Sequence, residues 1–522
     1  MGSDYESCAG QAGAYGGAAM RRSGHAAMRR RRERGAFAIM FVPLLFVIVA
    51  FCGLALDAGQ LYNRKVDLTG VAKAVALAAA RELNGTDDGI TMAKKRARET
   101  AEALRYGYFQ DGAPVPWNEA ALSFSAAPAR DGDWIPASSA NGTSQATKSA
   151  LYYAKVDTAG LDPSVSTVNT FLMHLVTGVT SAIRMRESAV AGRSALNVTP
   201  IAICAMSTDA ASKNTFTTSG GVTLNELVQY GFRRGVSYDL MQLNPNGTSA
   251  VSYIVNPVAV PGGSSPAFSS SSLGPFMCSG SVWVPRLTGG TIRVTSLPST
   301  APLASLSTPL NSRFDIYGSG PCAANGAPPD YNIQAYEYDK NNAVKWMNPT
   351  KGSRAALTVT SRGKRETAAD LLTAPASAGD YGPLWAFAKA AKAPTPLDAP
   401  EPANGYATFG TSDWPTLYKS GPTAPGYPTA TATPYLSTST SSGNYASPGV
   451  DHVDISTLNR RVLNIPLLSC SPAAPSGTNT SATVVAIGKF FMTVPATDTS
   501  LIAEFAGLIP EQALSGQVEL YP

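Results

Sequence analysis

The stretch Gly35–Leu56, GAFAIMFVPLLFVIVAFCGLAL, carries no charged side chain and organises the chain on either side of it. As a helix rising about 1.5 Å per residue it spans about 33 Å, enough to cross a hydrocarbon core of about 30 Å. Pro43 is tolerable inside such a helix, where neighbours can satisfy the freed backbone group. Arg29, Arg30, Arg31, Arg32 and Arg34 stand just before it, and Asp57 follows it. Positive residues are retained on the cytoplasmic side, so the N-terminus is expected inside and residues 57–522 outside. A cleavable signal peptide would have a shorter apolar core, of about 7–15 residues. Gly53-Leu54-Ala55 offers a small-x-small cleavage site, and Cys52 a lipidation site, but bulky Phe51 argues against the latter. An uncleaved single-pass anchor is the expectation.

Composition agrees with a chain that is mostly outside. Charged residues are 15% of its 522 residues, below the roughly 25% of ordinary soluble proteins. Gly, Pro, Ser, Thr and Ala replace them, which predicts short strands and long loops. Residues 1–34 hold seven Arg against Asp4, Glu6 and Glu33, a net +4 of the formal +5, leaving +1 for residues 57–522. That near-neutral region has no clustered basic face for nucleic acid. Residues 1–34 read as a basic, disordered cytoplasmic tail.

Beyond the apolar stretch, Leu61, Leu68, Val71, Val75, Ala78 and Leu83 recur at three- and four-residue steps, an amphipathic helical stripe ended by Asn84-Gly85. A second helix is expected from Thr91 to about Phe109, making residues 57–110 a helical stalk. Its apolar face packs either on its own domain or on neighbouring subunits.

Residues 29–85 are similar to the N-terminal domain of the Flp pilus assembly TadE/TadG-like family. The matching elements are Arg34-Gly35, Pro43 within the apolar helix, Leu56-Asp57-Ala58-Gly59 at its outer end, Tyr62, and the Ala-rich run from Ala72 to Ala80. A weaker likeness to TadG-type proteins extends to Arg460–Cys470 and the segment after it. The resemblance implies a membrane-anchored structural component of the tight-adherence (Flp, type IVb) pilus, in a bacterial inner membrane with its bulk periplasmic. Its partners would be other pilus-assembly or envelope proteins and membrane lipid. Pilin-like members carry a Glu five residues after the processing Gly; here that position is Met40. The TadG-like anchor therefore fits better than a processed pseudopilin.

The remaining chain predicts an α+β arrangement: a small mixed unit over 111–199, then a β-rich domain over 200–522. Strand–helix–strand is expected for Leu151–Thr158, Phe171–Val176 and Ser181–Ser194. Later strand candidates are PIAICAM, SYDLMQL, VSYIVNPVAV, GSVWVPRL, TIRVTSL, YNIQAYEY, ALTVTS, RVLNIPLL and ATVVAIGKFFMTV, with Gly, Pro and Ser in most gaps. Flexible insertions are expected near 261–275 and 393–450, the second with ten Pro and five Tyr that place its loops on a surface. Cys8 falls in the tail and Cys52 in the apolar stretch, leaving Cys204, Cys278, Cys322 and Cys470 outside. Four cysteines in an oxidising compartment predict two disulfides in one of three connectivities. Cys278–Cys322 with Cys204–Cys470 is the pairing expected. No pair has the close spacing of a zinc site.

Signs of catalysis are sparse. Outside the tail the only histidines are His174, in the apolar run FLMHLV, and His452, beside Asp451 and Asp454. That trio could ligate a cation or serve a Ser-His-Asp arrangement, but reads more simply as solvated polar residues. No phosphate-binding G-x-x-x-x-G-K-[ST] loop is present. Ser207–Ser212, STDAAS, lacks the Asp-x-Ser-x-Ser spacing of a metal-dependent adhesion site. The chain reads as a non-enzyme without cofactor, metal or small-molecule substrate. A membrane-tethered adhesin is the alternative, and an anchored periplasmic hydrolase a weaker one.

Overall fold

A computed structural model describes residues 33–106, 113–129, 131–144, 147–148, 150–170, 182–258, 270–284, 286–336, 358–370, 381–418, 433–514 and 518–521. The expected helix around Phe171–Val176, His174, Arg29–Arg32 and residues 261–269 lie outside them. The chain divides into two compact units, one of residues 1–62 with 168–183, the other of 63–167 with 184–522. The architecture is α+β, as expected, with one long apolar N-terminal helix ahead of a β-rich region.

Helix α1, Glu33–Glu82, runs unbroken through Pro43. Helix α2, Asp87–Ala103, starts where the Thr86 hydroxyl accepts the Gly89 amide, with Asp87 and Asp88 in its positive first turn. It therefore begins and ends earlier than the sequence predicts, and a short strand, Arg105–Tyr106, already follows it. The turn between the helices needs glycine twice over. Gly85 has φ +76°, and a Cβ there would collide with the guanidinium of Arg286.

The second half of α1 does not stand apart as a spacer. Leu68, Val71, Val75, Ala76, Ala79, Ala80 and Leu83 are buried with Ile90, Ala93, Ala97 and Ala101 of α2. Alanines at close spacing let the two helices approach each other and the sheet beneath. That sheet is built from β1 (Leu122–Ser125), β2 (Ile135–Pro136), β3 (Tyr153–Asp157) and β4 (Ser188–Arg193). The expected single strand over Ser181–Ser194 is two, broken at residues 185–187. A fifth strand, Val518–Tyr521, pairs with β4. The small unit is thus neither bounded at 111 nor closed by 199: it borrows its helices from one side and an edge strand from the other.

A seven-stranded sheet holds the larger core. Its central members are β5 (Ile201–Cys204), β6 (Tyr253–Val255), β7 (Thr291–Ser296), β8 (Val462–Leu468) and β9 (Thr480–Met492). Each pairs with the next in the order β9-β7-β6-β5-β8, and β8 pairs back to β9, so the five close into a ring. All these pairings are antiparallel except β5–β8. Strand β10, Ile502–Leu508, extends the sheet from the far end of β9. In β5, Ile201 and Ile203 join one apolar cluster, and Ala202 and Cys204 another. Both faces are covered, which is why PIAICAM reads as a continuous apolar run.

Among the described residues two expected strands do not form. The described part of GSVWVPRL makes a bridge from Val282 to Leu196 and no ladder. In YNIQAYEY, described as far as Tyr336, the carbonyls of Asn332 and Gln334 are taken by Arg461 rather than by a neighbouring strand. The Pro-rich stretch 393–450 departs most from expectation. In its described parts Phe409, Trp414, Leu417, Tyr418 and Tyr435 are buried in the main core, Trp414 stacked on Trp385 with ring centroids 4.0 Å apart. Proline removes ladder donors without removing apolar surface, so this stretch packs as irregular chain. Residues 270–275 also fold in, through buried Leu273 and Gly274.

Candidate functional site

The first candidate is the apolar end of α1. From Met40 to Leu56 only Gly53 is buried, and Met40, Phe46, Phe51 and Leu56 are each about 70% exposed or more. An apolar surface of this extent needs a covering medium. The helix is long and apolar enough to cross a membrane. Arg34 and Gly35 lie in its first turns, Pro43 within it, and Asp57 is buried just past the apolar run. Two of the positions quoted for the resemblance face outward. A Cβ at Gly59 would meet nothing within 4 Å, and Tyr62 is exposed. Nothing among the described residues explains the choice of residue at either.

The four remaining cysteines form Cys204–Cys470 and Cys278–Cys322, with Cα–Cα separations of 5.6 and 5.5 Å. The first joins the ends of the parallel neighbours β5 and β8. The second fastens a helical turn, Gly274–Ser279, to a loop beside it.

Where β5 and β8 end together, a cleft of about 260 Å³ opens. One wall is chain leaving β5, including Ser207 and Thr208; another is chain leaving β8, Ser469 to Ser471. The third comes from two turns. Tyr230 (φ +48°) and Gly231 (φ +83°) form a tight two-residue turn between strands Thr223–Gln229 and Phe232–Arg233. The Tyr230 carbonyl accepts the amides of Met206 and Ser207, fixing the turn against the end of β5. Lys364 sits at the head of the strand Lys364–Thr367, which is held by reciprocal backbone bonds between Arg365 and Asn244. Asn246 donates its amide to the Cys470 carbonyl at 2.5 Å, closing the floor. Sequence reading missed this site because its walls are separate turns of unremarkable composition. The parallel strand ends were the only usable signal, and pairing is not visible in one sequence.

Two carboxyls of the large unit, fully buried Glu504 and half-buried Asp370, are held well above the usual carboxylate range. Burial pushes Glu504 up to about 8, against three backbone amides, of Ala388, Phe387 and Ala386, that favour its charge. Burial likewise pushes Asp370 up to about 7, opposed by Arg233 and helped by Glu366 and Glu226. Both folded values exceed those of an unfolded chain. Their stabilising contribution is complete below about pH 4 and is lost as pH rises through 7 and 8. Thermal unfolding should therefore show Tm falling from pH 5.5 to 9, by the equivalent of on the order of 5 kcal/mol. Asp370→Asn should flatten the fall; a wild-type Tm that stays level or rises would contradict the assignment.

His452 finds its carboxylate elsewhere than expected. Its Nδ1 lies 2.6 Å from Oδ1 of Asp315, while Asp451 and Asp454 stay exposed. Asp315 Oδ2 accepts the Gly449 amide, and Tyr317 packs edge-on to the imidazole. The contact fastens the 449–455 loop to the turn at Asp315, which has φ +63°. Among the described residues no three His, Cys, Asp or Glu side chains converge on a point that could hold a metal ion. No family model matches the chain, and neither a curated protein nor a solved structure does.

Proposed function

We propose that the chain is a membrane-anchored structural component of a Flp (tight adherence, type IVb) pilus assembly, working through anchoring and protein–protein contact. The observation that carries this reading is the apolar run Gly35–Leu56 behind an arginine cluster, continuous with a helix whose distal half is built into a folded core. The N-terminus sits in the cytoplasm, the helix in the inner membrane, and residues 57–522 in the periplasm. Paired cysteines in the large unit support an oxidising compartment, where disulfides persist. Outward-facing Gly59 and Tyr62, both motif residues with no role in internal packing, support contact with a neighbouring helix just above the bilayer. A glycine lets such a neighbour's backbone come close, and an interfacial tyrosine suits the headgroup level.

The full chain should remain in the membrane pellet after alkaline carbonate washing. Deleting residues 35–56 should release it, and should abolish piliation in the native host. Protease added to spheroplasts should digest residues 57–522. Retention of the deletion variant in the membrane, or protection of the large unit, overturns the topology. Full piliation with the anchor deleted overturns the assembly role while leaving the topology intact.

A further inference from the structure

The cleft between the ends of β5 and β8 has the makings of a ligand site. Adjacent parallel strands both deliver their carboxyl ends to it. Its volume holds about nine waters at about 30 Å³ each, which is the room one sugar ring takes. Four hydroxyls, of Ser207, Thr208, Ser469 and Ser471, line it, together with the Tyr230 ring. Among the described residues Lys364 is its single charge, no carboxylate lines it, and Lys364 has no ion-pair partner.

From this we infer that the cleft binds an acidic sugar residue, a pyranose bearing one carboxylate. One ammonium balances one negative charge, whereas a phosphate dianion is usually met by bidentate arginine or several donors. Short hydroxyls on opposed walls suit the hydroxyls of a ring, each able to donate or accept. Met206, Val485 and Tyr230 supply the apolar and aromatic surface on which the C–H face of a sugar rests. The walls are fixed in advance by the Cys204–Cys470 disulfide and by the bonds from Tyr230 to Met206 and Ser207, so little ordering is needed on binding.

The test is titration of the full-length chain in detergent by saturation-transfer NMR and calorimetry. The probes are glucuronate, glucose, inorganic phosphate, and acetyl-dialanine with a free carboxylate. Glucuronate should bind, with glucose at least tenfold weaker. Lys364→Met should weaken glucuronate at least tenfold, and Lys364→Arg should restore most of it, both at unchanged Tm. Should Lys364→Met not fold, Thr208→Val provides the second reading, with the same expected loss. The inference is overturned if no probe binds, if glucose matches glucuronate, if phosphate or acetyl-dialanine binds more tightly, or if a folded variant loses nothing.

Discussion

Arg461→Ala is expected to cost about 4 kcal/mol or more, enough to leave the large unit substantially unfolded at 37 °C. The side chain is completely buried, and its guanidinium makes five bonds to four backbone carbonyls: Met492 twice, Thr493, Asn332 and Gln334. It also lies over the rings of Phe314 and Phe491, 4.3 and 4.5 Å from their centroids. Its own amide donates to Asp330, whose carboxylate holds the Tyr435 hydroxyl. Burial lowers the Arg461 pKa, with Tyr336 and Asp330 acting against that. Alanine removes a donor from all four carbonyls, of which Thr493 alone keeps the Tyr336 amide, and each buried carbonyl left unpaired costs about 1–3 kcal/mol. The total stability of a domain is only about 5–15 kcal/mol. Lysine should rescue little, because a compact ammonium cannot reach carbonyls spread around a planar fork. Denaturant titration, or limited proteolysis where expression is poor, measures the effect. A loss below about 1 kcal/mol would mean the carbonyls find other donors, and would refute this account.

The second large effect should come from the long disulfide. Cys204–Cys470 spans 266 residues and Cys278–Cys322 spans 44. Chain entropy assigns about 5 kcal/mol to the first and about 4 kcal/mol to the second. The paired change Cys204→Ser with Cys470→Ser should thus cost more than the paired change at 278 and 322, lowering Tm by about 5–10 °C from the wild-type value. It also places two hydroxyls in an apolar cluster formed by Tyr253, Val255, Val294 and Leu468 among others. Denaturant midpoints for the two double variants, with reductant on the wild type as a third arm, decide the order. A larger loss at 278 and 322 would show that local packing, not loop length, governs the outcome.

These predictions rest on features that were legible to different degrees. The apolar helix was plain, because the absence of charge over 22 residues needs no tertiary context. The cysteine pairing was also within reach, since exclusion of Cys8 and Cys52 left only four. β5, β8 and β9 were found because both-face burial writes long apolar runs. The strands Ser212–Thr217 and Thr223–Gln229 were missed: the first alternates between half-buried and exposed residues, with no apolar run to mark it. The stretch 393–450 was misjudged because Pro, Ser and Thr dominate its composition, while three or four aromatic rings decide its packing. Arg461 was invisible as a structural centre, since nothing local marks an arginine whose acceptors lie 31 to 129 residues away. The cleft was invisible for the same reason, and it departs from the expectation of no small-molecule ligand.

The strand Val518–Tyr521 carries a consequence for biogenesis. It completes a layer whose other members, β1 to β4, emerge from the ribosome more than 300 residues sooner. Throughout that interval β4 keeps an open margin of unsatisfied donors and acceptors, free to capture any passing extended peptide. Synthesis of the ring's last strands must therefore finish before this layer can be sealed. A chain stalled late in synthesis would be most adhesive at that margin.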